Sequence, residues 1–204
     1  MAEHKIITIG RQFGSGGHEI GNSLATRLDI PLYDNNLVRM VAEKLDIREE
    51  TAQAVDETTL NSFLEGYVLA PIERSGNTAA EYTQPLNEQV YGLQSEIIRK
   101  LARRGPCVIV GRCGDYVLRD WPGLINVFIC AGKEDRIKRI AKRYDLSEKK
   151  AAEKIKKIDR ERRYYYESHT GMEWGSIEAH QVLLNVSRLG MEGTVDLLER
   201  MYLA

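Results

Sequence analysis

Four short, almost uninterrupted apolar runs separate stretches of helical periodicity, and this alternation restricts the fold more than any other feature. The runs fall at 5–9 ("KIITI"), 107–110 ("CVIV"), 125–130 ("INVFIC") and 182–186 ("VLLNV"). A strand apolar at successive positions is buried on both faces, as in a parallel sheet covered by helices. Between the runs, Ile20, Leu24 and Leu28 recur at the spacing of one buried helix face. Val90, Leu93, Ile97 and Leu101 do the same ahead of "RRGP", where glycine and proline end the helix. Ile137, Ile140, Ala141 and Tyr144 form a third stripe, and Met191, Val195, Leu198 and Tyr202 a fourth. The expectation is an α/β domain built on a parallel sheet. Ligands of such sheets gather outside the carboxyl ends of the strands, which places "GRQFGSGG", "GRCGD" and the turn after "INVFIC" on one rim. Residues 48–88 are less periodic and read as an inserted, mostly helical lobe, with an exposed loop at 73–85.

A chain of 204 residues suits a single domain. Its formal charge of -1 argues against general binding to nucleic acid or an anionic membrane, which needs a basic surplus. No apolar run approaches the ~20 residues of a membrane span, and the start lacks the apolar core of a secretion signal. Cys107, Cys113 and Cys130 are odd in number, form no CxxC pair and read as buried free thiols of a cytoplasmic protein. The four histidines show no metal-ligand spacing. The charge is uneven, however. Residues 43–96 hold eleven acidic side chains against three basic, and residues 133–163 fourteen basic against seven acidic. The basic segment reads either as a local anion site or as a solvated helix face laced with i,i+4 pairs.

The stretch "ITIGRQFGSGGHEIG" joins the first strand to the first helix. Gly14, Ser15, Gly16 and Gly17 supply a backbone whose N–H groups can turn inward on a phosphate, beside the positive end of a helix. The common pattern GxxxxGK[ST] adds a lysine for the outer phosphates and a hydroxyl for magnesium. Here Gly17 falls at the lysine and His18 at the hydroxyl, while the leading glycine falls on Arg11. A tight turn without ligand is the other reading. Arg11, or arginines from elsewhere in the fold, would restore the missing charge.

Three further stretches carry a family likeness. "VIVGRCGDYVL" with "INVFICAGKEDRIKRI", "IKKIDRERRYYY" and "VLLNVSRLGMEGTVDLLERM" resemble the "GRD" segment, arginine-rich lid and closing helix of bacterial cytidylate kinases. "GSGG" and "YYYESHTGMEW" resemble more closely the cytidylate kinase-like group, which shows "GSGG" for "GSGK". The resemblance implies a three-layer α/β/α P-loop kinase fold spanning residues 1–204, with a helical monophosphate-binding lobe at about 35–90 and a lid at about 145–175. It implies transfer of a phosphoryl group from ATP, with Mg2+, to a nucleoside monophosphate such as CMP or dCMP. The rivals are a nucleotide sensor with little turnover and a kinase of another small metabolite. No resident protein-bound metal is implied, and a monomer and a homo-oligomer are equally compatible.

By position, Arg11 and Gly14 to His18 would line the ATP phosphates. Asp34, Arg39, Arg112 and Asp115 would hold the acceptor, with Cys113 in place of the "GRD" aspartate and Asp115 compensating. Asp34 also reads as a plain N-cap for a helix from Asn35. In the lid, Lys157, Arg160 and Arg162 fall on cationic positions and Glu161 on the acid, while Tyr164 replaces the last arginine beside Arg163. Arg160, Arg162 and Arg163 are the expected catalytic cations. Trp174 and Tyr164 to Tyr166 read either as base-stacking groups or as packing for the lid helix.

Overall fold

The computed structural model describes residues 4–34, 40 and 86–204. The chain divides into two compact units, residues 1–34 with 98–204, and residues 35–97. Apart from Met40 and the start of one helix, the expected acceptor lobe and its exposed loop lie outside the described residues, as does Arg39.

Five strands form one sheet in the order β2-β3-β1-β4-β5. They are β1 (Ile6–Arg11), β2 (Leu32–Tyr33), β3 (Cys107–Val110), β4 (Leu124–Cys130) and β5 (Val182–Asn185). All pairings are parallel. The helices are α1 (Gly17–Leu28), α2 (Leu86–Arg104), the single turn α3 (Gly114–Val117), α4 (Lys133–Tyr144), α5 (Glu148–Thr170) and α6 (Val186–Leu203). The chain leaves β1 toward β2 and β3 on one side and returns past it to β4 and β5 on the other. The carboxyl end of β1 is therefore the point where the winding reverses, the usual place for a ligand.

Strand alternation assigns the two faces. Ile7 lies level with Val108 and Ile125, and Ile9 with Val110 and Val127. This face packs under Ile20 and Leu24 of α1 and Val195 and Leu198 of α6. Burying each isoleucine contributes about 1.5–3 kcal/mol. At the rim of the same layer, Arg27 of α1 pairs with Glu192, Asp196 and Glu199 of α6. The opposite face of β1 carries Ile6, Thr8 and Gly10, level with Leu124, Asn126 and Phe128 of β4. The Thr8–Asn126 row is polar although fully inside. A second small core joins α4 to α5 through Ile140, Ala151 and Ile155, with Phe13 of the β1–α1 loop packed against it.

Two expectations shift. β1 runs on to Arg11, because Gln12 N–H donates to Ile129 O at 3.0 Å and holds the chain against β4. The third stripe stops at Ala141; Tyr144 is 44% exposed and lies beneath the Lys154 ammonium.

Candidate active site

The loop between β1 and α1 is shaped by its glycines and fastened from outside by arginines. Gly14 (φ 79°) and Gly16 (φ 91°) adopt the left-handed conformation that reverses the chain into α1. Ser15 turns inward, its Oγ donating to Gln12 O at 2.8 Å. Arg139 Nη1 donates to Gly14 O at 2.7 Å and Arg136 Nη1 to Phe13 O at 3.2 Å. Because the peptide is planar and trans, drawing the Phe13 carbonyl toward α4 turns the Gly14 N–H away from it. The first-turn amides of α1 have no intrahelical acceptor. The result is a set of main-chain donors at the positive end of a helix, which is a ready anion site.

The Phe13 N–H is spoken for. It donates to Asp159 Oδ1 at 2.7 Å, and Asp159 Oδ2 meets Arg136 Nη1 at 2.5 Å. One turn further along α5, Arg162 Nη1 donates to Arg11 O at 3.2 Å, and its guanidinium lies 5.5 Å from the Phe13 ring centre. Helix α5 is thus docked on the loop by a carboxylate and a guanidinium spaced i,i+3 on one face.

Three guanidiniums come together here: Arg11, Arg112 and Arg162. Burial first, and Arg11 next, lower Arg112 to about 10 and Arg162 to about 9, with Asp34 opposing both shifts. They stay cationic at neutral pH. The shift records a free-energy cost of crowding positive charge out of water, which an anion would offset. The carboxylate beside Arg11 is Asp34, whose Oδ1 lies 3.5 Å from Arg11 Nη2 and whose Oδ2 lies 3.3 Å from His18 Nε2. Both contacts are long. Arg112 follows β3 in a turn where Gly111 (φ 77°), Arg112 (φ 59°) and Cys113 (φ 51°) are all left-handed. For a residue with a Cβ this conformation costs roughly 1–2 kcal/mol, and strain of this kind concentrates where a side chain must be aimed.

Beneath the loop lies a buried polar cluster on the second face of the sheet. Tyr166 donates to Asp115 Oδ2 at 2.6 Å, and His180 Nδ1 lies 3.0 Å from Asn126 Oδ1 and 4.0 Å from Asp115 Oδ2. Phe128 stacks on His180 at 4.9 Å. Burial lowers His180 to about 4. The unfolded chain takes up this proton near pH 6.5 and the folded chain near 4, so His180 removes stability as pH falls through that window. The loss reaches about 3 kcal/mol. Asp115 works the other way: burial raises it, so its share of stability is regained on acidification. Urea unfolding of the parent and of His180→Asn across pH 4–7 separates the two, since only the parent should show the histidine's loss.

A family model described as the cytidylate kinase-like family matches residues 6–188. The chain belongs to the cytidylate kinase-like family. A cytidylate kinase from Ignicoccus hospitalis is 31% identical over 102 residues, which are 50% of this chain and 59% of the relative. The match thus spans a little over half of that protein's length. An uncharacterized protein from Eubacterium ventriosum has a crystal structure that superposes with a TM-score of 0.73 at 26% identity, covering 98% of this chain and 99% of that one. Shikimate kinase from Bacteroides thetaiotaomicron superposes at 0.52 with 13% identity, covering 98% of this chain and 99% of that one, a likeness of fold alone. The parallel sheet with helices on its faces is the three-layer α/β/α P-loop kinase fold. Among the described residues no helix is long and apolar enough to cross a membrane.

Within this cytidylate kinase-like chain the residues singled out in the sequence divide. Arg11, Gly14 to His18, Asp34, Arg112 and Arg162 come together at the end of β1. Arg160 and Arg163 do not join them: both are exposed, and Arg163 lies over the Trp174 ring at 5.9 Å. On one helix, residues 160 and 162 point about 200° apart, so both cannot face the loop. Asp115 is 7% exposed and its carboxylate is bonded to Tyr166, inside the core rather than on the rim. Trp174 sets its edge on Phe128 at 5.2 Å. Tyr164 is exposed.

Sequence reasoning missed Asp159, Arg136 and Arg139. The last two share an i,i+3 face on α4 with Arg143, which reaches Glu19 Oε1 at 2.5 Å. That periodic arginine stripe was the available signal. Within the basic segment, one face of α4 grips the loop carbonyls, and Lys157 and Glu161 on α5 form an i,i+4 pair.

Proposed function

We propose that this protein transfers a phosphoryl group from ATP to a nucleoside monophosphate of the CMP or dCMP type. The observation that carries the reading is the meeting of Arg11, Arg112 and Arg162 around a glycine-rich helix N-terminus. In phosphoryl transfer the protein mainly aligns two anions and neutralises the moving group, and such a cluster suits that task. The loop amides and Arg162 would hold the donor phosphates, and Arg112 and Asp34 the acceptor. Arg160 and Arg163 remain on the lid helix as cations for a closed form. Family membership and the Ignicoccus relative support CMP as acceptor. Cys113 speaks for a different small acceptor, because its thiol is buried and offers the substrate no carboxylate.

Magnesium fits as an ion carried by phosphate. Such ions keep several waters and use one or two carboxylates; of the two beside the loop, Asp159 is held by Arg136 and the Phe13 amide, and Asp34, with only long contacts, would be the one to serve. The ion supplies charge neutralisation to the phosphates.

A second reading, a nucleotide sensor with little turnover, is favoured by Gly17 in the lysine position and by the docking of Asp159 on a loop amide. ATP and Mg2+ with a panel of monophosphates, followed as ADP formed, tests both. The kinase reading expects CMP or a close relative to stimulate ADP formation. ATP binding without stimulation by any acceptor would leave the sensor.

A further inference from the structure

The geometry points to Arg11 as the catalytic cation of the loop, a replacement in space for the lysine absent at position 17, with its guanidinium directed at the transferred phosphoryl group. This rests on the phosphotransfer reading above and identifies the group that makes a lysine-less loop competent.

The exchange is reciprocal. β1 alternates, so Arg11 leaves the strand on the same face as Ile7 and Ile9, the face covered by α1. Its stem therefore runs beneath the first turn of that helix. A Cβ built at Gly17 would stand 2.7 Å from Arg11 Cβ and 3.1 Å from Arg11 Cγ. Real Cβ atoms do not approach that closely, so a lysine at 17 and this arginine at 11 exclude each other. The head of the side chain is accommodated in the same way. A Cβ at Gly111 would stand 1.8 Å from Arg11 Nη1, so the guanidinium lies in the space that a glycine after β3 leaves open. The common loop has glycine at the position of Arg11 and lysine at the position of Gly17. This chain has both reversed, and the glycine of its "GRC" segment leaves room for the larger head.

The charge balance agrees. Asp159 is engaged by Arg136 and the Phe13 amide, which leaves Asp34 as the acid close to Arg11, at 3.5 Å and shared with His18. That distance is at the limit of a hydrogen bond. A phosphate presenting two oxygens to the planar fork would be a stronger partner.

The test is a four-protein cycle: parent, Arg11→Gly, Gly17→Lys, and the double variant. Each is assayed for ADP formation and for binding of a nonhydrolysable ATP analogue, with folding checked by circular dichroism. Arg11→Gly should stay folded and lose on the order of a hundredfold in turnover. Gly17→Lys alone should be equally impaired, because the new side chain meets the arginine stem. The double variant should recover at least tenfold over either single one. Arg11→Gly with parental turnover, or a double variant no better than the worse single, overturns the assignment while leaving the kinase reading intact. Should the parent turn over no acceptor yet bind the analogue, the kinase reading fails, and the assignment to catalysis with it. The same loss and recovery in analogue affinity would then mark Arg11 as a phosphate-binding group only. A parent that binds no analogue removes both.

Discussion

Replacing Arg162 by alanine will lower turnover by about 10²–10³-fold while changing the stability of the ligand-free protein by no more than about 1 kcal/mol. The two halves of this expectation have different causes. On the proposed function, turnover falls because a guanidinium that would stand beside the phosphates is lost where charge develops. Stability hardly changes because what Arg162 gains and what it costs nearly cancel. It gains one hydrogen bond to Arg11 O and its position over Phe13. It costs the burial first, and then the crowding with Arg11 and Arg112, that lower its pKa to about 9. A side chain with a structural task would show the opposite split. Arg160→Ala is the internal comparison for stability: it lies on the exposed side of the same helix and should change the stability of the ligand-free protein by no more than about 0.5 kcal/mol.

Gly14→Ala will destabilise the fold by about 2–5 kcal/mol and abolish triphosphate binding. At φ 79° any Cβ is strained, and here it would also stand 2.9 Å from Ile140 Cγ1 and 3.2 Å from the Arg136 carbonyl. The latter is helix backbone and cannot swing aside, so the loop must lift off α4. That movement breaks the bonds from Arg136 and Arg139 that orient its carbonyls. Gly171→Ala separates strain from contact. Gly171 has φ 69° but nothing within 4 Å of the added carbon, so it should lose only the conformational part, about 1–2 kcal/mol. Urea titrations of the two variants give the difference.

These effects also show where the sequence was readable. The nearly continuous apolar run that holds Ile7 and Ile9, and the i,i+4 stripe of Ile20 and Leu24, are strong because a whole layer depends on them. β2 left no such mark, since Leu32 and Tyr33 are too few to show a period. The tight strand-to-helix turn was legible in its glycines, which by themselves leave both a phosphate loop and a plain turn open. Arg112 stood out through the resemblance of "VIVGRCGDYVL" to the family's "GRD" segment. The arrangement of the lid arginines was not legible, because it turns on which face of α5 meets Phe13. Asp159, Arg136 and Arg139 escaped notice for a related reason: each acts on main-chain atoms of residues 13 or 14, and no motif records a bond to a carbonyl or an amide. The His180 cluster draws on β4, α3, α5 and the approach to β5, so no local spacing announces it. Side chains scattered along the chain meet only once the second sheet face is assembled.

The sequence departures at 17 and 18 can then be read together. Gly17 makes room for the stem of Arg11. His18 takes the edge of Asp34 that the arginine leaves, at 3.3 Å.

The central claim is that main-chain amides and converging guanidiniums at the end of β1 hold a polyphosphate. Titration calorimetry of the whole protein with a nonhydrolysable ATP analogue and Mg2+ tests it most directly. The account predicts saturable binding at one site per chain, weakened by Arg162→Ala and by rising salt. Absence of binding by every adenine and guanine triphosphate, with the protein folded, would contradict it.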